Sequence, residues 1–255
     1  MKIASWNVNS IKARLPRVTE WLSEFQPDVV LFQELKCIDD NFPRMEIEDL
    51  GYNVATHGQK TYNGVAILSK YPIEDVMEGL PGDDDDEQAR YLEATVNNVR
   101  VASIYLPNGN PAPGPKYDYK LEWMRKLKSH LKETLLNEEI FIILGDFNVI
   151  PEEEDVHNPE AWKDDALFKI ETKKAYREIL SLGFLDSFRQ FNNEPGNYTF
   201  WDYQRGAWQR NNGIRIDHIL TSPLAADKMK NVYIDKTVRD KDKPSDHVPI
   251  LIEIE

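Results

Sequence analysis

A single cysteine, Cys37, stands in 255 residues. No internal disulfide can form, so a disulfide-stapled scaffold is excluded and a reducing compartment is expected. Long apolar runs are also missing. The longest, Ile140–Leu144, falls far short of the roughly 18–20 residues a membrane helix needs. The opening Met1-Lys2-Ile3-Ala4-Ser5-Trp6-Asn7 meets polar residues before a signal-peptide core could form. A soluble cytoplasmic protein without a membrane partner is expected. No stretch is rich in Gly and Ser, and no internal repeat is visible, so one domain over 1–255 is expected. Positive charge is in deficit: 31 Lys and Arg face 44 Asp and Glu, a net charge of −13. That excludes a protein that coats nucleic acid by bulk electrostatics. It leaves room for an enzyme that grips phosphates through metal ions and a local basic strip, because carboxylates that hold cations add to the negative count.

Core-forming residues are plentiful. Hydrophobic residues make up 41% and aromatics 11%, which excludes a mainly disordered chain. Short β-branched runs recur at Ile3–Val8, Val29–Phe32, Val65–Leu68, Val99–Leu106, Ile140–Leu144, Ile214–Leu220 and Val248–Ile254. Bounded by Gly, Pro, Asn or Asp, they read as strands. Leu15, Val18, Trp21, Leu22 and Phe25 share a helical face that Pro27 ends. Leu121, Met124, Leu127, Leu131 and Leu135 make a longer stripe. Tyr176, Ile179 and Leu180 make a third, with Gly183 as its expected C-cap. Tyr52–Thr56 with Val65–Leu68, and Tyr91–Val96 with Val99–Leu106 across Asn97-Asn98, read as hairpins. The expected class is therefore α/β with mixed sheets. The acidic run Gly82-Asp83-Asp84-Asp85-Asp86-Glu87 reads as a solvated loop, and Asn108–Pro115 as an exposed one.

Polar residues of interest stand at strand ends: Asn7, Glu34, Asp146, Asn148, Asp217, Asp246 and His247. Taken singly, an Asn or Asp there is commonly a turn former or a helix cap. Asp217 is different, because it lies among Ile214, Ile216, Ile219 and Leu220, and a buried carboxylate must be paired. Its partner is either Arg215 or a core histidine. Together these acids, amides and the histidine suggest a cation site with a base beside it. Hard oxygen donors suit Mg²⁺ or Mn²⁺, whereas a zinc site would want clustered His or Cys. A phosphodiester repels incoming hydroxide, so such a site fits phosphoester hydrolysis: a cation neutralises the charge and a base activates water.

Several motifs occur in order: Trp6-Asn7-Val8-Asn9, Leu31-Phe32-Gln33-Glu34-Leu35-Lys36, His57-Gly58-Gln59-Lys60, Asn63-Gly64-Val65-Ala66 and Tyr105-Leu106-Pro107-Asn108-Gly109. Gly145-Asp146-Phe147-Asn148, Tyr198-Thr199-Phe200-Trp201-Asp202-Tyr203, Ile214-Arg215-Ile216-Asp217 and Pro244-Ser245-Asp246-His247-Val248-Pro249 follow. In this order the chain resembles the exonuclease III / AP endonuclease family of the endonuclease–exonuclease–phosphatase superfamily, in its bacterial exonuclease III branch. The resemblance implies a four-layer α/β sandwich, two packed mixed β-sheets flanked by helices. It implies a Mg²⁺-dependent hydrolase of double-stranded DNA in base-excision repair, monomeric, with Mn²⁺ able to substitute. The implied activities are AP-site cleavage, 3′-to-5′ exonuclease action and removal of 3′ phosphates, in unread proportion.

The resemblance also implies roles. Glu34 matches the principal metal ligand with Asn7 beside it, and Asp146, Asn148, Asp246 and His247 complete the candidate metal set. Tyr105, Asp146, Asn148, Asp217 and His247 form the candidate catalytic set. Tyr105 would place its hydroxyl on the phosphate, and Asp217 would orient His247. Asp146 would activate water or protonate the leaving group. His247 would contact the phosphate or serve as the base. Substrate contacts are expected at Lys36, Lys60, Asn108, Lys116, Trp201 and Arg215, with Lys120, Arg205 and Arg210 as further candidates. Trp201 would wall a sugar pocket, and Trp208 could stack on a base. His157, Trp162 and Phe168, in a segment that departs from the branch pattern, could fill the space an abasic sugar needs. The rival readings are a phosphatase of the same superfamily acting on a non-nucleic-acid phosphoester, and a non-catalytic protein that binds DNA ends.

Overall fold

The β-branched runs fold as strands, and two of the connections between them set the architecture. The computed structural model describes residues 1–83 and 85–255; Asp84, in the acidic run, lies outside them. The strands are β1 Lys2–Asn7, β2 Val29–Gln33, β3 Asn53–His57, β4 Val65–Ser69, β5 Ile73–Glu78, β6 Tyr91–Val96, β7 Val99–Tyr105, β8 Phe141–Asp146, β9 Leu185–Asp186, β10 Asp217–Thr221, β11 Met229–Ile234 and β12 Ile250–Ile254. The helices are α1 Ile11–Phe25, α2 Arg44–Glu48, α3 Pro115–Thr134, α4 Pro159–Trp162, α5 Ile170–Leu180, α6 Ser187–Phe191 and α7 Pro223–Ala226. One sheet has the order β11-β12-β1-β2-β4-β3 and the other β5-β6-β7-β8-β10-β9.

Each sheet contains one parallel pair, β1 with β2 and β7 with β8. Parallel neighbours cannot be joined by a tight turn and need a crossover. Helices α1 and α3 are those crossovers, and each covers the outer face of its own sheet. Val18, Trp21 and Leu22 of α1 pack on Trp6, Val30 and Phe32. Trp123, Met124, Leu127 and Leu131 of α3 pack on Ile104, Phe141 and Ile143. Between the sheets lies a third core that includes Ile3, Leu31, Ile67, Val101, Leu144 and Ile219. The result is the four-layer α/β sandwich with mixed sheets.

Alternate residues of a strand face the same side. Inward-facing positions run Ile3-Ser5-Asn7 on β1, Val101-Ser103-Tyr105 on β7 and Ile142-Leu144-Asp146 on β8. Asp217 precedes Ile219 on β10. The space between the sheets thus turns from apolar to polar toward one end. Tyr105 pairs with Asp146 across β7 and β8, and Asp146 with Asp217 across β8 and β10. Gly145 permits this crossing, because a Cβ there would lie 2.0 Å from the Ile104 carbonyl oxygen.

The expected hairpins form, with Asn97 and Asn98 both at positive φ (48° and 62°), as a two-residue type I′ turn requires. Some boundaries move. β10 begins at Asp217, and Ile214 instead makes isolated bridges to Val156 and Phe200. β12 begins at Ile250. α5 ends at Leu180 with Ser181 as its cap, so Gly183 lies beyond the cap position. Of the acidic run, Asp83 pairs with Lys126, and Asp86 accepts from the Tyr119 hydroxyl at 2.6 Å. These contacts fasten the segment onto α3.

Arg215, expected against substrate, is fully buried. Its Nε and Nη2 donate to Asp155 at 2.7 and 3.1 Å, and its Nη1 and Nη2 to Asp186 at 3.1 and 2.8 Å. Burial and this guanidinium push neighbouring His218 down to about 4. The neutral ring accepts from Arg215 at Nδ1 and donates from Nε2 to the Val149 carbonyl. Arg215 therefore clamps the segment after β8 to β9 and β10. Removing one partner of a buried ion pair typically costs about 3–5 kcal/mol. Arg215→Leu should lower the urea-unfolding free energy by about that amount, because buried Asp186 loses its cation and Asp155 keeps only Arg189. An unchanged midpoint would show that the clamp contributes nothing.

Candidate active site

The polar end of the sandwich gathers Asp146, Asp217 and His247 so that one ligand atom of each lies within 4.8 Å of the others. His247 Nδ1 stands 2.8 Å from Asp217 Oδ2, and its Nε2 stands 3.6 Å from Asp146 Oδ2. Asp217 thus pairs with the histidine and not with Arg215. The carboxylate accepts a hydrogen bond from Nδ1–H, and Nε2 is left to face Asp146. The ring is set from behind: Trp6 Nε1 donates to the His247 carbonyl, and the His247 N–H donates to Ser245 Oγ. The Phe200 ring lies against the imidazole edge-on, with centroids 4.9 Å apart.

Asp146 is held from both sides. Asn7 Nδ2 donates to its Oδ2 at 2.9 Å, and the Asn148 N–H donates to its Oδ1 at 2.9 Å. Asn148 in turn donates its amide to the Leu106 carbonyl and accepts from Asn108 Nδ2 at 3.1 Å. Glu34 accepts from the Tyr105 hydroxyl and faces Lys36 Nζ at 2.9 Å. Lys36 also donates to Asn9, whose Nδ2 donates to Asp246 at 3.0 Å. Glu34, Lys36, Asn9, Ser10 and Asn148 all have positive φ. Apart from the asparagines, such side chains rarely adopt this region, and strain of this kind persists where surrounding contacts impose it.

Charge follows from this packing. Burial, with Asp217 and Glu34 nearby, pushes the Asp146 carboxyl up to about 7 against the pull of His247. Burial works to discharge His247, but Asp217 and Asp146 outweigh it and raise the imidazole to about 10. Burial also opposes ionisation of Glu34, yet Lys36 and Tyr105 prevail and hold its carboxyl below the usual range. Burial and Glu34 keep the Tyr105 phenol protonated far above its ordinary value.

Oxygen donors predominate here, as a hard cation requires. Asn7, Glu34, Asp146 and Asp217 all lie at this end, and Asp217 Oδ1 is buried without a hydrogen-bond partner among the described residues. The donor set fits a divalent cation of the Mg²⁺ or Mn²⁺ kind.

Comparison with known proteins decides the family. The model of the Endonuclease/Exonuclease/phosphatase family matches residues 4–247. The chain belongs to that family. It is 33% identical to exodeoxyribonuclease III of Haemophilus influenzae, over 99% of each chain. A 3′ phosphatase from Neisseria, solved with a product DNA hairpin, superposes with a TM-score of 0.98 at 40% identity, over 100% of this chain and 99% of that one. An AP endonuclease from Archaeoglobus fulgidus gives 0.96 at 38% identity, over 100% of this chain and 99% of that one.

Within this family member, some expected substrate residues prove to be scaffold. Trp201 is fully buried, donates from Nε1 to Asn211 and packs edge-on against Trp208, 4.8 Å away. Its neighbour Phe200 takes the face toward His247, because successive residues of extended chain point to opposite sides. Lys120 is also fully buried. Desolvation pushes its ammonium down to about 7, and it cannot reach a DNA backbone. Lys60, Lys116, Arg205 and Arg210 remain exposed, as does Asn108. A cavity of about 520 Å³ beside Phe200 is lined by His157, Trp162, Arg205 and Arg210. Phe168 is instead buried beside Ile150 and Leu167.

Asn9, Phe200 and Arg90 join the site without a role read from sequence. The first two lie in quoted motifs. Arg90 sits 4.9 Å over the Tyr105 ring and donates to the Tyr105 carbonyl, and no local pattern marked it. Loss of a positioned acid–base group typically costs about 10²–10⁴-fold in rate. His247→Ala should lose about that much of kcat, with an unchanged circular dichroism spectrum. A loss under about threefold would remove His247 from the chemistry.

Proposed function

We propose that the chain is a Mg²⁺-dependent DNA phosphodiester hydrolase of base-excision repair, acting as a cytoplasmic monomer on abasic sites, recessed 3′ ends and 3′ phosphates. Mn²⁺ is expected to substitute. The observation that carries the reading is the buried Asp217–His247–Asp146–Asn7 chain at the polar end of the sandwich. Relatives named as exodeoxyribonuclease III and AP endonuclease favour DNA over other phosphoesters.

Glu34 and Asn7, with Asp146, Asn148 and Asp246 around them, would hold the cation; His247, expected among the ligands, carries a proton on both ring nitrogens beside Asp217 and stands outside the set. When bound, it neutralises phosphate charge and polarises the phosphorus–oxygen bonds. The chain's own groups then divide the remaining work. The His247 imidazolium, kept protonated by Asp217, presents Nε2–H as a donor to the phosphate. That leaves Asp146 Oδ2 as the group that takes a proton from attacking water. Tyr105 offers a neutral hydroxyl, and the Asn148 amide orients the nucleophile. Lys36, Lys60, Asn108 and Lys116, with Arg205 and Arg210, supply the contacts along the DNA backbone that an acidic protein needs locally.

A superfamily phosphatase on a small phosphoester would cleave such a substrate as well as it cleaves DNA. A mere end-binding protein would cleave neither. Three duplexes tested side by side, carrying an internal AP site, a recessed 3′ hydroxyl and a 3′ phosphate, should each be cleaved only with Mg²⁺ or Mn²⁺. Glu34→Gln should raise the Mg²⁺ concentration for half-maximal activity at least tenfold while the protein stays folded; equal activity at low Mg²⁺ would dismiss Glu34 as a ligand. The 3′-phosphate duplex should lead the AP duplex, because the bulky Trp162 and His157 line the cavity beside Phe200 and take up space that an abasic sugar would need.

The pH profile carries a separate expectation. A base must be deprotonated, so kcat/KM should rise with pH through the Asp146 titration. A donor must be protonated, so it should fall as pH passes about 10, where His247 discharges. A bound cation favours the carboxylate, so limiting Mg²⁺ should move the acid limb up toward 7. An acid limb that persists in Asp146→Asn would exclude Asp146 as its source.

A further inference from the structure

Lysine is seldom fully buried unless its ammonium is satisfied. Lys120, on the second turn of α3, has no exposed surface. Its Nζ donates to two backbone carbonyls, Asn148 O at 2.5 Å and Asn108 O at 3.1 Å. Those carbonyls belong to different loops, one after β8 and one after β7. The two loops also meet where Asn108 Nδ2 donates to Asn148 Oδ1 and where Asn148 Nδ2 donates to the Leu106 carbonyl. The passage of the lysine is shaped for it: a Cβ on Gly109 would lie 2.7 Å from Lys120 Cδ, and Gly109 has φ +89°. Asn148 itself is in the left-handed region, with φ 48°, and its N–H holds Asp146 Oδ1 at 2.9 Å.

We infer that Lys120 is a positioning residue for the reaction: by donating to both loop carbonyls from inside the fold, it fixes the spacing of Asn108 and Asn148 and the aim of the Asn148 amide and Asp146 carboxylate. It touches no substrate. A side chain ending in methyl at this place leaves both carbonyls without a donor, and the left-handed Asn148 peptide loses the contact that fixes its carbonyl. A displacement of about 1 Å in a reacting group can cost about 10²-fold in rate.

The assignment rests on the phosphodiester-hydrolase reading, and the test separates the two. Wild-type protein is first assayed on a 3′-phosphate duplex with Mg²⁺, and absence of cleavage there defeats the functional reading itself. With wild type active, Lys120→Met should lose about 10- to 100-fold in kcat, while KM for the duplex changes less than threefold. In an Asn148→Ala background the same substitution should cost under threefold, because residues acting through one another are not additive. An equal loss in both backgrounds, a loss confined to KM, or no loss overturns the assignment. A second route covers poor folding of the methionine variant. Lys120→Cys in a Cys37→Ala background, alkylated with 2-bromoethylamine in denaturant and refolded, restores an ammonium at nearly the same reach. It should recover at least tenfold of the lost kcat; a folded alkylated protein with no recovery overturns the assignment.

Discussion

Burying carboxylates is costly unless each finds donors or a cation, and this constraint governs one whole end of the molecule. Glu34, Asp146 and Asp217 lie where the two sheets meet. Their donors come from widely separated segments: Asn7 from β1, Lys36 after β2, Tyr105 from β7, the Asn148 peptide after β8 and His247 before β12. Satisfying the acids therefore joins both sheets at the same place. The joining imposes left-handed backbone on Glu34, Lys36 and Asn148. The arrangement stops short of complete satisfaction at Asp217 Oδ1, and a site with surplus acceptor capacity is one prepared for a cation.

Two cations that a sequence reader would assign to DNA are spent inside the fold instead. Arg215 holds Asp155 and Asp186, and Lys120 holds two loop carbonyls. Arg215 lies two residues before β10, and Lys120 joins the loops after β7 and β8. A chain with a net charge of −13 thus has fewer basic groups for a polyanion than its composition suggests. Of the residues expected to contact a DNA backbone, Lys60, Lys116 in the first turn of α3, Arg205 and Arg210 keep exposed side chains, where screening leaves only short-range contacts effective.

Much of the architecture was legible because it is local. The β-branched runs, the helical stripes and Asn97-Asn98 each carry their own geometry. Edge strands β5 and β11 escaped notice because their exposed residues break the apolar pattern, as edges commonly do. In the site, alternation along Ile3-Ser5-Asn7 and Ile142-Leu144-Asp146 already put the amide and the acid on the face that bears the core. Phe200 and Trp201 could be named from their motif, yet which one faced the histidine depended on a bridge to His247 far along the chain.

By itself, then, the sequence determined most of the strands, the helical stripes, the family and the small set of acids, amides and histidine that chemistry would use, since periodicity and residue type are properties of short segments. Only the tertiary structure decided partnership. Asp217 chose His247 over Arg215, Arg90 came to rest on Tyr105, and Lys120 turned inward, because each of those outcomes is fixed by side chains that meet from distant parts of the chain and by the cost of leaving a buried charge without a partner.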